Sequence, residues 1–322
     1  MISVRSQLTM LLLLAQKKFL LRRHDNTRLM RRLAEFSSRF IPLPENIRIE
    51  HSDQHGIPAE RLVNSHRSAR PGRTLIYIHG GGYVIGNPGT HRAFAARLGQ
   101  RAGASEIWLP DYRLAPEHPF PAAIDDVLGF WTHLSRNDPQ RQFVLAGESA
   151  GGGLCVSLCI AARERGLPQP QRLYLLSPWL DLSLTSRTHF SQDHRDPFLG
   201  REFIERNFAR LYAADTPRDH PLLSPLFADL GGLPPTLVHV GSREVLLDDS
   251  REFARKARAL GIAVTLEVHT GLWHAWPVFQ TAPECLAAIR TAGEWLSRPK
   301  DKTASAPRAK ARKPARKIRV PK

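Results

Sequence analysis

The sequence predicts an α/β protein, a mostly parallel central sheet flanked by helices. Three observations carry that expectation. Between residues 41 and 297, short apolar runs alternate with helical stretches, the pattern of repeated strand–helix–strand units covered on both faces. The 322 residues, 42% of them hydrophobic, suffice to bury the core of one large domain or two smaller ones. The interior shows no internal repeat and no low-complexity segment. In chain order, strands are expected at 74–79 (TLIYIH), 106–110 (EIWLP), 142–147 (QFVLAG), 173–177 (LYLLS), 236–241 (TLVHVG) and 264–269 (VTLEVH). Helices are expected between them at 91–102, 122–136, 150–165 and 250–260.

Charge separates the body from its ends. The formal net charge of +16 invites a nucleic-acid reading. Residues 1–40 carry net +7 and residues 298–322 net +10, which leaves −1 for the segment between. The segment from 298 on is Lys, Arg, Ala and Pro with little to bury, and is expected to be a disordered, solvated tail; binding of nucleic acid or another anionic polymer through counterion release is the alternative. Near the other end, Leu8 to Ala15 is an apolar run followed by Lys17 and Lys18, read as an amphipathic helix packed on the protein's own body or touching a membrane surface. It falls well short of the about 20 apolar residues a transmembrane helix needs, and no small-residue cleavage site follows it. Three cysteines make no disulfide framework and nothing resembles paired zinc-ligand spacing, so no metal or cofactor is expected and a reducing, cytoplasmic setting is the simple reading.

The chemistry sits at the carboxyl ends of the expected strands, where open α/β sheets bind their ligands. Gly147-Glu148-Ser149-Ala150-Gly151 is a G-x-S-x-G sequence between an apolar strand and a helix. A serine on such a sharp strand-to-helix turn needs glycines two positions to either side, because side chains there would clash across the turn. By chance the pattern also marks ordinary glycine-rich turns, but a second element stands where the mechanism requires it. His79-Gly80-Gly81-Gly82 follows the 74–79 strand, and its unshielded amides can face an oxyanion. No G-x-x-x-x-G-K-[ST] or G-x-G-x-x-G pattern supports a phosphate loop instead. The expected oxyanion donors are the N–H groups of Gly81, Gly82 and Ala150.

A serine nucleophile needs a base and an acid, in the chain order Ser, acid, His. Of 14 histidines, His274 lies in a loop just after the 264–269 strand and is the preferred base. His79 is expected to shape the glycine loop by hydrogen bonds, and His269 to be fixed against the sheet or buried. The acid should follow the 236–241 strand, where Glu244, Asp248 and Asp249 compete. Glu244 comes first in the loop and is preferred, with Asp248 second. Asp248 and Asp249 look like the first turn of the next helix, where acids favour the dipole. Cys155, Cys159 and Cys285 read as apolar packing groups, and Asp181 and Glu117 as structural hydrogen-bonding residues.

The chain resembles the hormone-sensitive-lipase-like branch of the α/β-hydrolases, the bacterial esterases with an HGGG loop. The resemblance rests on HGGGYVIG at 79–86, DYRLAPEHPFPAAIDD at 111–126, GESAGG at 147–152, SPWLDL at 177–182, PLLSPL at 221–226, LPPTLVHVG at 233–241 and the His274 loop. It implies an α/β-hydrolase fold with a helical cap. Residues 1–40 and an insertion near 183–220 would form that cap around a catalytic domain of 41–297. It further implies Ser149 as nucleophile, His274 as general base and acid, and the acid position at Glu244-Val245-Leu246, where the family usually has Asp-Pro-Leu. His274-Ala275-Trp276 likewise replaces the usual His-Gly-Phe. The implied substrate is a small ester, with acetyl hydrolases and lactone hydrolases nearest in flavour, and members often dimerise. A receptor on this fold that binds a small molecule without turnover is the competing class, and the presence of His274 argues against it.

Overall fold

The computed structural model describes residues 2–21 and 27–299. Eight strands make one sheet: β1 (Ile47–Asp53), β2 (Pro58–Asn64), β3 (Arg70–Ile78), β4 (Ala104–Pro110), β5 (Gln142–Glu148), β6 (Leu173–Leu176), β7 (Thr236–Gly241) and β8 (Val264–His269), in the spatial order β1-β2-β4-β3-β5-β6-β7-β8. The last six are the strands expected from the sequence, and they pair in parallel throughout. β1 and β2 are additions. They pair antiparallel with one another and β2 pairs antiparallel with β4, so no helical crossover announces them. They also carry charge: Arg61 of β2 bridges Glu50 of β1 at 3.0 Å and Glu106 of β4 at 2.6 Å.

The helices are α1 (Val4–Leu21), α2 (Thr27–Ser38), α3 (Pro88–Arg101), α4 (Ala122–Asn137), α5 (Ala150–Glu164), α6 (Arg187–Ser191), α7 (Arg201–Ile204), α8 (Arg210–Ala213), α9 (Leu247–Ala259) and α10 (Pro283–Ser297), with a π-turn at Glu205–Ala209 joining α7 to α8. α3 begins at a capping box: the Asn87 side chain accepts from Thr90 N–H at 3.0 Å and the Thr90 hydroxyl accepts from Asn87 N–H at 3.0 Å.

Strand periodicity divides the core in two. Ile76, Ile78, Leu145, Leu173, Leu175 and Val238 face α4, α5 and α9 through Val127, Trp131, Leu154, Leu158 and Phe253. Leu75, Tyr77, Val144, Ala146, Tyr174 and Leu237 face α3 and α10 through Phe94, Leu98, Ile289 and Trp295. Each such buried side chain contributes about 1.5–3 kcal/mol of transfer free energy. Cys155, Cys159 and Cys285 are buried thiols, as expected.

The N-terminal helix departs from the amphipathic expectation. Leu13 is buried and joins the cluster that holds Leu272, Trp273 and Trp276, but Leu8, Leu11 and Leu12 face solvent, so apolar residues lie on both sides of α1. Polar ties seat it: the Ser3 and Ser6 hydroxyls donate to Glu284 at 2.8 and 3.0 Å. No described helix is long and apolar enough to cross a membrane. The basic tail expected from 298 lies, from residue 300 on, outside the described residues; Arg298 and Pro299 accept hydrogen bonds from Arg172.

Candidate active site

Five adjacent parallel strands deliver every candidate residue to one edge. β3 ends in the His79–Gly82 loop, β5 in Ser149, β6 in Ser177, β7 in the loop holding Glu244, and β8 in the loop holding His274. Ser149 stands between β5 and α5 at φ 53°, ψ −122°, a conformation that L-residues rarely adopt. The bend is held because Ser149 N–H donates to Leu176 C=O at 2.9 Å and its own C=O accepts from Trp179 at 3.0 Å and Gly153 at 3.1 Å. The flanking glycines are sterically required. A Cβ on Gly151 would lie 2.1 Å from the Ile78 carbonyl oxygen, and one on Gly147 2.5 Å from that of Gly151.

The glycine loop is clamped from below by Glu148, the variable residue of the G-x-S-x-G sequence. Its buried carboxylate accepts from Tyr77 OH and Gly80 N–H, and His91 Nε2 lies 2.9 Å from it. Burial alone would lower the His91 pKa, yet the adjoining Glu148 charge and hydrogen bond outweigh it and hold His91 up. At His79 burial prevails, pushing the ring down to about 4 with help from His91. Its Nδ1 lies 2.8 Å from Gly80 C=O and its ring stacks on Tyr112 at 4.3 Å, so it shapes the loop as the sequence suggested. Gly82 has φ 64°, and a Cβ there would enter the ring of Phe208 at 2.3 Å. The 201–213 helical run therefore sits directly on this loop, and Tyr212 stacks on Tyr83 at 3.8 Å.

His274 and Glu244 meet because two loops zip together. Arg243 N–H donates to Leu272 C=O at 3.0 Å, Ser242 N–H to His269 C=O at 3.0 Å, and Gly271 N–H to the Ser242 hydroxyl at 2.9 Å. The result places His274 Nδ1 2.8 Å from Glu244 Oε2, with both side chains buried. The other oxygen, Glu244 Oε1, accepts from the Ser177 hydroxyl at 2.8 Å and from Gly241 N–H. Asp248, by contrast, accepts from Thr188 N–H at 3.1 Å and pairs with Arg251 at 3.2 Å in the first turn of α9. Asp249, in the same turn, is buried and accepts from the N–H groups of Leu180 and Asp181. Asp181 and Glu117 hold structural contacts, to Ser183 and Thr185 and to Arg31.

Three residues of this site lie beyond the sequence reading. Ser177 links the acid loop to the base loop, since its hydroxyl also accepts from Ala275 N–H at 3.1 Å. Glu148 is the x that the motif leaves open. Asp196 is fully buried; its carboxylate accepts from Phe198 and Leu199 N–H at 2.9 Å and from Val245 N–H at 3.0 Å, pinning the residue after Glu244. The Asp196-Pro197 pair, between β6 and β7, is its one sequence signal. Lys17 of α1 fastens that segment by donating to the carbonyls of Asp193, Asp196 and Leu199.

Burial pushes the Asp196 carboxyl up to about 6; the neighbouring His274 and the Leu199 and Phe198 N–H groups oppose this, and Glu244 adds to it. The folded protein thus holds this proton more tightly than the unfolded chain, whose Asp titrates near 3.9. The contribution of Asp196 to stability is fully present below about pH 4 and declines as pH rises to about 6. In thermal melts, the advantage of wild type over Asp196→Asn is expected to shrink across that window by up to a few kcal/mol. A constant gap from pH 4 to 7 would contradict it.

Comparisons with known proteins point the same way. A family model described as alpha/beta hydrolase fold matches residues 75–278. The chain is similar to an acetyl-hydrolase of Streptomyces hygroscopicus, 41% identical over 70% of this chain and 75% of that one. It is also similar to an esterase of Acinetobacter venetianus, 34% identical over 80% of this chain and 85% of that one. Among solved structures, an esterase from the bacterial hormone-sensitive lipase family superposes with a TM-score of 0.85 at 37% identity, covering 92% of this chain and 98% of that chain.

Proposed function

The chain belongs to the α/β-hydrolase family, in its hormone-sensitive-lipase-like bacterial esterase branch, and is a carboxylesterase-type hydrolase; from that premise we propose that it cleaves short-chain acyl esters, lactones included, through an acyl-enzyme on Ser149. The observation that carries the reading is the 2.8 Å contact between His274 Nδ1 and Glu244 at the strand ends beside the strained Ser149 bend. His274 Nε2 takes the Ser149 proton as Oγ bonds to the acyl carbon, and Glu244 accepts from Nδ1–H, holding the tautomer and stabilising the imidazolium. The N–H groups of Gly81, Gly82 and Ala150 receive the negative oxygen. Collapse expels the alcohol, which takes the proton from His274. Water then attacks the acyl-enzyme with His274 again as base, releasing the acid and restoring Ser149.

The short acyl length rests on the cap. In this reading α1, α2 and the 183–220 insertion form a helical cap over the catalytic body. Support comes from Phe208 against Gly82, from Lys17, and from Arg31 of α2, which donates to Val84 C=O at 2.8 Å. Phe208 against Gly82 and the stacked Tyr83–Tyr212 pair crowd aromatic rings around the oxyanion loop, which supports a short acyl chain. The relative called acetyl-hydrolase fits the same limit. With p-nitrophenyl esters, kcat/KM is expected to peak at acetate or butyrate and fall steeply with longer chains. A maximum at octanoate or beyond would overturn the short-chain assignment. The three buried thiols accord with a reducing, cytoplasmic setting, which is part of the same proposal.

A further inference from the structure

We propose that His239, Glu267 and His269 bind one divalent transition-metal ion of the zinc type at the β7–β8 edge of the sheet, apart from the ester chemistry. His239 and Glu267 are register partners across the two strands, and His269 lies two residues beyond Glu267. A strand period of two therefore brings all three to one face. His239 Nε2 lies 3.1 Å from Glu267 Oε2, and His269 Nε2 lies 3.5 Å from the same oxygen. One ligand atom from each residue falls within 4.8 Å of the others. A tetrahedral zinc ion with nitrogen and oxygen ligands at about 2.0–2.2 Å separates its ligand atoms by about 3.3–3.5 Å. The two separations to Glu267, at 3.1 and 3.5 Å, are close to that spacing, and all three ligand atoms fall within 4.8 Å.

The ring nitrogens are presented as ligands are. The two imidazoles meet at 68° with centroids 4.9 Å apart, converging instead of stacking. Both Nε2 atoms are buried, and among the described residues neither has an aligned hydrogen-bond partner. His239 Nδ1 lies 3.2 Å from the Tyr174 hydroxyl. With Nδ1–H donating to that phenol, Nε2 turns its lone pair toward the cluster, the arrangement in which an outer partner orients a metal-bound histidine. The His239 side chain is wholly buried while those of His269 and Glu267 are 29% and 39% exposed, so the site has a fixed floor and an entry path. Two imidazoles and a carboxylate suit zinc and its neighbours in the first transition row. Sequence spacing hides the site, because His239 and Glu267 lie far apart in the chain and neither belongs to a paired ligand motif.

The position gives the ion a structural task. His269 ends β8 at the start of the loop that carries His274, and Trp276 packs over both histidines, 4.7 Å from His269 and 6.3 Å from His239. A bound ion would tie β8 to β7 where that loop departs, and would stabilise the fold by mass action.

The test is titration of chelator-stripped full-length protein with zinc chloride, by calorimetry and by equilibrium dialysis with metal analysis, alongside thermal melts. Wild type is expected to retain one equivalent and to gain melting temperature with zinc. Glu267→Gln and His269→Ala, both at partly exposed positions and each removing one of three ligands, are expected to bind at least about 10-fold more weakly, the cost of losing even an outer partner, and to lose the thermal gain. A His274→Ala protein should bind zinc as wild type does. Retention of less than one equivalent at micromolar free zinc, unchanged binding in both site variants, or loss of binding in His274→Ala alone would overturn the proposal.

Discussion

A Ser149→Ala protein is expected to hydrolyse p-nitrophenyl acetate on the order of 10⁶-fold more slowly than wild type, with its thermal transition nearly unchanged. The size follows from the proposed mechanism, in which no acyl-enzyme forms without the hydroxyl and only the proposed oxyanion donors and binding remain to speed attack by water. The small thermal effect follows from the structure. The bend at φ 53° is enforced by the hydrogen bonds of the Ser149 backbone to Leu176, Trp179 and Gly153, which alanine keeps. Protein purified from a host lacking its own esterases is essential to the measurement. Hydrolysis within tenfold of wild type would refute the nucleophile, and with it the acyl-enzyme route.

Glu244→Ala is expected to lower kcat by about 10⁴, whereas Asp248→Ala should stay close to wild type in turnover. Glu244 is the carboxylate within hydrogen-bond reach of His274 Nδ1, at 2.8 Å, and Asp248 is occupied by Thr188 and Arg251 on the first turn of α9. Asp248→Ala should instead show in the melting temperature, because it removes an acid from the positive end of a helix. Glu244→Ala also strips the Ser177 hydroxyl and Gly241 N–H of their acceptor. Glu244→Gln, which keeps the shape and loses the charge, therefore separates catalysis from folding. Equal losses in kcat for the Glu244 and Asp248 variants would move the acid downstream.

Glutamate where the family usually places aspartate has a geometric explanation. Two strand ends away from Ser149, the longer side chain spans from the β7 loop to His274 with one oxygen and reaches Ser177 and Gly241 with the other. The replacement of His-Gly-Phe by His274-Ala275-Trp276 is accommodated similarly. Ala275 takes the left-handed conformation at φ 51°, at the cost of about 1–3 kcal/mol for a non-glycine residue, and its N–H is held by Ser177. Trp276 turns its ring to the β7–β8 face, where it covers His239 and His269.

Local signals in the sequence sufficed for the six parallel strands, the strained serine turn, the glycine loop after β3 and the late histidine, because each depends on residues a few positions apart. The same signals placed Asp248 and Asp249 at a helix start. They did not reveal β1 and β2, whose polar sides face water and whose antiparallel pairing needs no crossover helix. Nor did they reveal how far α1 spreads its leucines to solvent, since packing against Glu284 and the 193–199 segment decides which face is buried. Position in the loop favours Glu244, but its contact with His274, the bridging by Ser177, the pin at Asp196 and the convergence of His239 with Glu267 and His269 belong to tertiary structure alone. Each joins groups far apart in sequence, and only the stacking of parallel strands in register brings their ends, and hence their side chains, within bonding distance.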